Sequence, residues 1–340
     1  MNKKIIYIGS LIKGGTCGHR MKALERLGNQ VMGIEEYPKV SIILNFVNRI
    51  SNYFFKKLFD FGGVNNELIK MLYEKKIDIV WIDKGLIIKK NTLIKIKKRF
   101  PDIKLIHYSP DDMLNSDNQT IDYLSSIPFY DHHITTKSYN VSELKTLCAH
   151  SVIFVNNAFE PTVHKRLKLS KEDESYYSAE VAFIGSFEQD RYEKMLFLAK
   201  NGIKVRIWGK TWKKVKNMHP NLEIIPKDCW QDEYAKVINA TKINLCFLRK
   251  VNRDLQTTRS IEIPACGGFM LAERTNEHLK LFEENKEAAF FSSKEELLEK
   301  TKYYLSNKEQ IDKISQNAKI KCDKLYSNDI IIREGLKKIL

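Results

Sequence analysis

Short apolar runs rich in Ile, Val and aromatic residues recur along the chain, and each one ends at a glycine or a polar turn. In the first third these runs occupy residues 4–9, 30–34, 77–82 and 104–108. Stretches with helical spacing separate them, such as the helix predicted over 19–27, which stops at Gly28. Strand-like runs that alternate with helices in this way predict a parallel α/β sheet buried on both faces.

The same alternation starts again near residue 179. Further strands are predicted at 179–185, 205–208, 222–225, 243–248 and 269–271. Between the two series, Pro161, a basic run and an acidic Ser-rich segment break the periodicity. The pattern predicts an N-terminal Rossmann-like domain over 1–160, a linker over 161–178, a second Rossmann-like domain over 179–325, and a short C-terminal helix over 326–340.

Length and composition support two folded domains, and the charge is uneven. With 340 residues, of which 43% are hydrophobic, the chain is neither one small module nor wholly disordered. The net charge is +15, and residues 1–104 carry 21 basic and 9 acidic side chains. This basic third indicates a nucleic acid, an anionic membrane surface or an acidic substrate as a partner, with Lys-rich solvated surfaces as the alternative.

The cysteines and the N-terminal residues indicate the cellular compartment in which the protein is expected. Six cysteines contain no C-x-x-C pair, which is typical of reduced, buried thiols rather than of a zinc site or a disulfide framework. The first apolar run is about six residues long and enters a Gly-rich turn, so it predicts a strand rather than a signal peptide. No stretch approaches 18 uninterrupted apolar residues. We therefore expect a cytoplasmic protein.

The densest group of chemically active residue types lies at 253–273. Asp254 and Glu262 are eight positions apart around Arg259, and the segment ends in Gly267 and Gly268 before a strand. A helix N-terminus attracts phosphate, and carboxylates accept hydrogen bonds from sugar hydroxyls. An ordinary surface helix followed by a glycine turn is the alternative.

The run RSIEIPACGGFMLAERTNEHLKLFEENKEAAFFSSKEELLEK, residues 259–300, resembles the donor-binding half of GT-B glycosyltransferases. It is similar in particular to the spore-maturation CgeB-like branch related to the group 1 enzymes. The resemblance implies a GT-B architecture, in which two Rossmann-like domains face each other across a cleft. It also implies acceptor binding by the first domain and donor binding by the second.

The resemblance assigns donor contacts residue by residue. Gly185 and Ser186, followed by Arg191, resemble the Gly-Ser…Arg element of the family, and Trp208-Gly209 resembles its Gly-x-x-Trp element together with Trp212. The group 1 enzymes contact the donor through an acidic residue and a Glu that have seven residues between them.

Asp254 and Glu262 have this spacing, with Asp in place of the usual first Glu. Glu262 is then the ribose contact, and the sugar contact of Asp254 is the less secure of the two. Arg191 and Arg259 are assigned to the diphosphate, since Arg presents a fixed fork of donors to phosphate. Two arginines and a helix N-terminus would make a metal ion unnecessary, so neither a metal nor another cofactor is expected.

In the first domain, His107 ends an apolar strand and Asp111 and Asp112 follow it. Ligands of open α/β sheets bind where the strands end, so one of the two aspartates is a candidate catalytic base for an acceptor hydroxyl. His107 is then an acceptor-side residue. The alternative is that an aspartate caps the next helix.

A second acceptor-side candidate is the glycine turn that precedes the first helix. Gly14 and Gly15 would allow substrate to approach the backbone, with His19 as a candidate catalytic residue and Arg20 beside it. A pair of glycines is a weak signal by itself, and His19 could equally be a surface residue of the helix.

Residues 40–61 are apolar and aromatic at helical spacing, with basic residues between them. Such a segment either packs inside the domain or lies on an anionic membrane leaflet. The second reading predicts peripheral association with the inner face of the membrane.

Together these features predict a metal-independent glycosyltransferase that uses a nucleoside-diphosphate sugar and a glycan or lipid-linked hydroxyl acceptor, in surface polysaccharide or glycoconjugate assembly. One alternative is a GT-B enzyme that modifies DNA. Others are a non-catalytic nucleotide-sugar-binding protein and a sugar-nucleotide epimerase on the same scaffold.

Overall fold

The computed structural model describes residues 2–215 and 219–340 and divides into two compact units. Unit 1 contains the chain up to Asn156 together with Asn328–Leu340, and unit 2 is Asn157–Ser327. Each unit is built on a six-stranded parallel sheet. The predicted fold class, two Rossmann-like α/β domains, is confirmed.

The sheet of unit 1 has the strand order β2-β1-β3-β4-β5-β6. Its strands are β1 (Lys4–Gly9), β2 (Gln30–Glu35), β3 (Ile79–Asp83), β4 (Lys104–Ser109), β5 (His132–Thr135) and β6 (Val152–Phe154). Alternate residues of β1 enter different cores: Ile6 packs in the cluster on one face, and Ile5 and Tyr7 pack in the cluster on the other. Burial on both faces explains why the strands read as continuous apolar runs.

Helices cover both faces of this sheet. They are α1 (Thr16–Arg26), α2 (Ile42–Phe55), α3 (Val64–Glu74), α4 (Lys90–Arg99), α5 (Ile121–Ser126) and α6 (Asn140–Thr146), with a 3-10 turn at Ile127–Phe129. Leu24 of α1 packs with Ile5 and Tyr7, whereas Leu68 of α3 and Leu93 of α4 pack with Ile6. The helix α2 is different, because most of its apolar side chains are exposed.

The sheet of unit 2 has the strand order β12-β11-β10-β7-β8-β9. Its strands are β7 (Ala179–Ile184), β8 (Val205–Trp208), β9 (Leu222–Ile225), β10 (Thr241–Cys246), β11 (Met270–Glu273) and β12 (Ala289–Phe291). Its helices are α7 (Lys171–Tyr177), α8 (Gln189–Lys200), α9 (Asp232–Ala240), α10 (Arg259–Ala265), α11 (Asn276–Leu281), α12 (Lys294–Leu305) and α13 (Lys308–Leu325), with a 3-10 turn at Lys210–Lys214.

The last helix, α14 (Asn328–Lys337), belongs to unit 1. Its Ile332 and Leu336 join the core cluster that contains Ile134 of β5. At the surface, Arg26 of α1 donates to both carboxylate oxygens of Asp329 at 2.8 and 2.9 Å. The C-terminal helix therefore completes the core and one surface of unit 1.

The segment predicted as a linker over 161–178 lies within unit 2 and contains α7. Its Ser170 caps that helix by accepting a hydrogen bond from the Asp173 amide at 3.1 Å. Within the described ranges, no helix combines the length and the apolar composition required to cross a bilayer.

Candidate functional site

In unit 2 the strand order reverses between β7 and β10. The chain runs from β7 outward through β8 and β9, and then returns to add β10, β11 and β12 on the other side of β7. In open α/β sheets, ligands bind at such a reversal, beyond the carboxyl ends of the strands. We call this side of a sheet its carboxyl edge, and the site in unit 2 is described from there outward.

Two glycine turns meet at this edge. Gly185 follows β7, and its carbonyl oxygen accepts a hydrogen bond of 2.7 Å from Nε1 of Trp212. Gly209 follows β8, and a Cβ at that position would lie only 2.3 Å from the same carbonyl oxygen. The amide of Gly185 donates to the carbonyl of Trp208 at 3.0 Å. The structure thus brings Gly185, Trp208 and Gly209 together and shows why the second turn requires glycine.

Arg191 and Arg259 lie beside these turns. Arg191 in α8 is 1% exposed, and its Nη1 donates to the carbonyl of Ser186 at 3.0 Å. Arg259 begins α10, and its Nη2 donates to the carbonyl of Phe247, just beyond β10, at 3.2 Å. The two guanidinium carbons lie 5.6 and 5.7 Å from the centroid of the Phe183 ring. Two residues predicted from separate motifs therefore share one neighbour.

The positive charges of Arg191 and Arg259 repel each other. Burial, and then the positive charge of Arg259, lower the pKa of Arg191 to about 10. Glu188 compensates in part, because its carboxylate lies 3.2 Å from Arg191, but it also lies 3.5 Å from Arg249. An anion bound between the arginines would relieve their repulsion.

Hydrogen bonding leads to the same conclusion. Nε of Arg191 and Nε of Arg259 are buried and have no hydrogen-bond partner among the described residues. A buried N–H that lacks a partner costs about 1–3 kcal/mol. Phosphate oxygens are acceptors whose geometry matches an arginine fork. The pair can therefore hold a phosphate or diphosphate group.

Glu262 lies on α10 with its carboxylate buried. Its Oε1 is 3.7 Å from Nε2 of His164, whose ring packs edge-on against Tyr234 at 5.5 Å between centroids. Burial lowers the pKa of His164, and the Glu262 carboxylate opposes that shift. The ribose contact predicted for Glu262 stays a prediction.

Asp254 organises the loop that follows β10. One carboxylate oxygen accepts a hydrogen bond of 2.7 Å from Asn252, and the Asp254 amide donates to the carbonyl of Arg249 at 3.1 Å. These bonds show a loop-forming use of Asp254 that the sequence analysis did not consider. A sugar contact by the same carboxylate stays a prediction.

The structure does not bring Gly267 and Gly268 to this edge. They connect α10 to the start of β11, so they lie at the amino end of that strand. A Cβ on Gly268 would come within 2.5 Å of Ile238, and Gly267 has a φ of +79°. The double glycine is explained by a left-handed turn and close packing, rather than by contact with a ligand at the carboxyl edge.

In unit 1 the strand order reverses between β1 and β3, and the carboxyl edge there holds a buried cluster. Asp83, at the end of β3, accepts hydrogen bonds from Tyr7 and from Arg20, at 2.6 Å to Nε and 3.1 Å to Nη2 of the arginine. The guanidinium of Arg20 also lies 4.7 Å from the ring centroid of Tyr108. Burial alone would lower the pKa of Arg20, but the Asp83 carboxylate raises it well above its ordinary value.

Arg20, predicted as an acceptor-side residue, is therefore committed to an internal ion pair. Asp83 and Tyr7 were missed by the sequence analysis. The available signal was a carboxylate at the end of a strongly apolar strand. Gly14 and Gly15 form the turn between β1 and α1 as predicted, and Gly15 is the N-cap of the helix. His19 is 8% exposed, so it is not the surface residue that the alternative reading expected.

Asp111 and Asp112 follow β4, but their environments differ. Asp111 is partly exposed, and its Oδ2 lies 2.8 Å from Nζ of Lys84. Asp112 is fully buried, and its Oδ1 accepts hydrogen bonds from the Leu114 amide at 3.1 Å and from Asn140 at 2.9 Å. Asp111 remains accessible as a base, whereas Asp112 caps the following turn.

His107 is a strand residue rather than part of a substrate-facing loop. It is 1% exposed, and its ring packs within about 5 Å, between centroids, of Tyr123, Tyr130 and His133. Burial, and then His133, lower its pKa well below the ordinary value. A neutral, enclosed imidazole does not contact an acceptor at the carboxyl edge.

Glu36 was also missed by the sequence analysis. It follows β2, is 1% exposed, and its amide donates to the carbonyl of Gly9 at 3.0 Å, so it lies beside the end of β1. Burial raises the pKa of its carboxyl to about 7. Within residues 2–215 and 219–340, no group of three His, Cys, Asp or Glu side chains is placed to hold a metal ion.

Residues 191–336 match a family described as glycosyl transferase-like. The matched segment begins at Arg191 and includes Asp254, Arg259 and Glu262. No curated protein sequence matches the chain significantly.

Solved structures resemble the whole chain in fold. HepE from Anabaena, crystallised with UDP and glucose, is 11% identical with a TM-score of 0.64, and the match covers 99% of this chain and 100% of that one. An alpha-glucosyltransferase crystallised with UDP and a 13-mer DNA containing a HMU base is 12% identical with a TM-score of 0.67, covering 99% of each chain. Sucrose-phosphate synthase from Thermosynechococcus elongatus is 10% identical with a TM-score of 0.64, covering 99% and 98%.

Proposed function

We propose that this glycosyltransferase transfers a sugar from a nucleoside-diphosphate donor, bound at the carboxyl edge of unit 2, to a hydroxyl acceptor, without a metal ion. The observation that carries the proposal is the buried pair of Arg191 and Arg259, whose Nε groups lack partners at the point where the strand order of unit 2 reverses. The family match over 191–336 covers this pair.

The chemistry requires stabilisation of a leaving diphosphate. The bond between the sugar C1 and the diphosphate oxygen breaks, a bond forms between C1 and the acceptor oxygen, and the acceptor hydroxyl loses its proton. The diphosphate leaves with the bonding electrons and gains negative charge. Two preorganised guanidinium groups stabilise that charge as it develops. This is the role we assign to Arg191 and Arg259.

We assign uridine diphosphate as the first donor nucleotide to test, because HepE and the alpha-glucosyltransferase were both crystallised with UDP. The Gly185 turn lies next to the arginine pair, because a Cβ at Gly185 would lie 3.4 Å from Nη1 of Arg259. Following the family resemblance, Glu262 is assigned to the ribose hydroxyls.

We place the acceptor among glycans or lipid-linked saccharides, in polysaccharide or glycoconjugate assembly. The support is the resemblance of residues 259–300 to the CgeB-like branch. In unit 1, Asp111 follows β4 and its carboxylate is partly exposed, so it is the proposed proton acceptor.

The test combines binding and turnover. UDP, GDP, dTDP and CMP are each titrated while the melting temperature is followed, and the matching nucleotide sugars are then incubated with acceptor extracts. We expect one nucleotide to raise the melting temperature and its sugar to be consumed only with an acceptor. Consumption that needs no acceptor and changes the sugar would indicate an epimerase. Binding without turnover would indicate a binding protein.

Nucleic acid is a second candidate acceptor, because residues 1–104 carry 21 basic and 9 acidic side chains and one structure of the same fold contains DNA. A DNA acceptor predicts binding at about 50 mM salt that weakens steeply as salt rises. Absence of binding under those conditions would remove this candidate.

A further inference from the structure

The helix α2 presents an apolar face to solvent. Ile42 is 88% exposed, Tyr53 75% and Ile43 74%, and five further apolar side chains of the helix are also exposed: Phe46, Val47, Ile50, Phe54 and Phe55. A soluble protein rarely leaves so many large apolar side chains of one element in contact with water. This face therefore requires a partner.

The helix is attached to unit 1 by its polar side. At about 100° per residue, seven of the eight exposed apolar residues fall within an arc of roughly 140°, and Phe55 at the end of the helix lies outside it. The buried residue of the helix is Ser51, on the other side. Asn48, also on that side, donates to the carbonyl of Phe59 at 3.0 Å and accepts from its amide at 2.8 Å. The usual orientation of an amphipathic helix is inverted here, so packing within unit 1 does not account for the apolar arc.

The turn after the helix also carries exposed aromatic side chains. Phe59 and Phe61 are both 39% exposed, with ring centroids 5.5 Å apart. Lys57 lies over the Phe59 ring with its Nζ 5.6 Å from the centroid. Aromatic side chains next to a lysine are typical of the boundary between lipid headgroups and acyl chains.

Charge distinguishes among the partners that could cover this face. Residues 39–61 contain four basic residues, Lys39, Arg49, Lys56 and Lys57, and one acidic residue, Asp60, whose carboxylate accepts hydrogen bonds from the first amides of α3. Lys56 is paired with Asp117 at 3.2 Å, and the segment keeps a net positive charge. A second copy of the chain would bring two such basic surfaces together, which is unfavourable. An anionic surface complements both the apolar arc and the charge.

We propose that α2 and the turn to Phe61 dock on an anionic lipid bilayer. The apolar arc enters the boundary between headgroups and acyl chains, and Arg49 and Lys57 contact lipid phosphates. The helix lies in the plane of the membrane and does not cross it. The proposal is independent of the transferase reaction, because it uses no residue of the donor site.

The test is sedimentation of the full chain with vesicles of phosphatidylcholine alone or mixed with phosphatidylglycerol. We expect binding to the mixed vesicles that weakens, without disappearing, as salt rises. The double substitution Phe46→Gln with Phe54→Gln should reduce partitioning by roughly tenfold or more, since each ring is lost from the apolar phase. The double substitution Arg49→Gln with Lys57→Gln should reduce it by about fivefold per charge.

The matched control is Tyr303→Gln with Ile320→Gln, which removes two exposed apolar side chains, 53% and 58% exposed, from helices of unit 2. We expect this control to bind vesicles as the wild type does, and all variants to keep the wild-type melting temperature. Three results would overturn the proposal: no binding of the wild type to mixed vesicles, equal loss in the control, or a lipid-free dimer that the Phe46 and Phe54 substitutions dissociate. The last would assign the face to a second copy.

Discussion

The guanidinium groups of Arg191 and Arg259 converge on the ring of Phe183 although the two arginines lie in the first turns of different helices. Each arginine also uses one N–H group to hold a backbone carbonyl of its own loop. Their positions are thus set before any ligand binds. A preorganised pair of cations is effective because no reorganisation is needed when charge develops on the leaving group.

Substitution of Arg259 tests this arrangement. Arg259→Gln should weaken UDP binding by about tenfold to a hundredfold, because a charge-assisted hydrogen bond contributes about 1.5–3 kcal/mol. The unfolding free energy should change little, since the repulsion with Arg191 is lost together with one hydrogen bond. Titration calorimetry with UDP measures the affinity.

Arg249→Gln is the matched control, because Arg249 is half-exposed and pairs with Glu188 at the same edge. UDP binding by Arg259→Gln at wild-type affinity would contradict the assignment. Arg259→Lys should fall between the two, since it keeps the charge and loses the fork.

Substitutions of the two aspartates after β4 should have different effects, one on the rate of transfer and the other on stability. Asp111→Asn should lower kcat by about 100- to 10,000-fold if this carboxylate takes the acceptor proton, with the melting temperature unchanged. Asp112→Asn should instead lower the unfolding free energy by about 1–3 kcal/mol, because its carboxylate holds the Leu114 amide and Asn140 inside unit 1. Steady-state rates and thermal melts of both variants are the measurement. Unchanged kcat in Asp111→Asn would show that no base acts from this position.

Gly209→Ala should disturb the donor site through the backbone. A Cβ there would lie 2.3 Å from the Gly185 carbonyl, so one of the two turns must move. We expect a lower melting temperature and weaker UDP binding. Gly18→Ala is the control: apart from its chain neighbours and the backbone of α1 itself, no described residue lies within 4 Å of its Cβ position, and replacing a helical glycine should stabilise by about 0.5–1 kcal/mol. Normal UDP affinity in Gly209→Ala would argue against the importance of this contact.

Glu36 should make stability depend on pH. Burial raises its pKa from 4.5 to about 7, so the folded state holds a proton that the unfolded state has already lost. Between these two values the contribution of Glu36 to the unfolding free energy falls as pH rises, by about 1.4 kcal/mol per pH unit at most. Glu36→Gln should remove this slope. Urea unfolding at pH 5 and pH 8 measures the effect: the unfolding free energy of Glu36→Gln, relative to that of the wild type, should be higher at pH 8 than at pH 5. The same difference between variant and wild type at both pH values would contradict a buried acid.

Chelation tests the proposed metal independence. Because arginine side chains are assigned to the diphosphate, EDTA should leave the rate of sugar transfer within about twofold of its untreated value. Adding Mg²⁺ or Mn²⁺ should not increase the rate of sugar transfer. Loss of activity on chelation, with recovery on adding metal, would assign part of the leaving-group stabilisation to a bound ion.

The elements that the sequence predicted well are those with buried strands. β1, β8 and β9 have the predicted bounds, because apolar runs between polar turns carry the signal of a strand covered on both faces. The predicted helix over 19–27 begins earlier, at Thr16, since its cap is the glycine Gly15 rather than a polar residue. Helix ends depend on such local hydrogen bonding, which periodicity does not contain.

The candidate site was less predictable than the fold. Asp83, Arg20 and Tyr7 lie on three separate elements, so the cluster exists only after β1 and β3 pair. Asp111 and Asp112 are adjacent in sequence, yet only the folded turn decides which is enclosed. Apolar spacing in residues 40–61 was also consistent with burial, and the exposure of the apolar side chains of α2, with Ser51 as its buried residue, shows that the apolar face is the exposed one.

The return of α14 to unit 1 has a consequence for biosynthesis. Ile332 and Leu336 fill the core of the unit that the ribosome makes first, while the whole of unit 2 is translated between them and the rest of that core. A nascent chain can complete unit 2 as soon as it emerges, but the face of the unit 1 sheet that carries Ile134 stays unfinished until α14 has left the exit tunnel. Of the two units, unit 1 is therefore synthesised earlier and completed later.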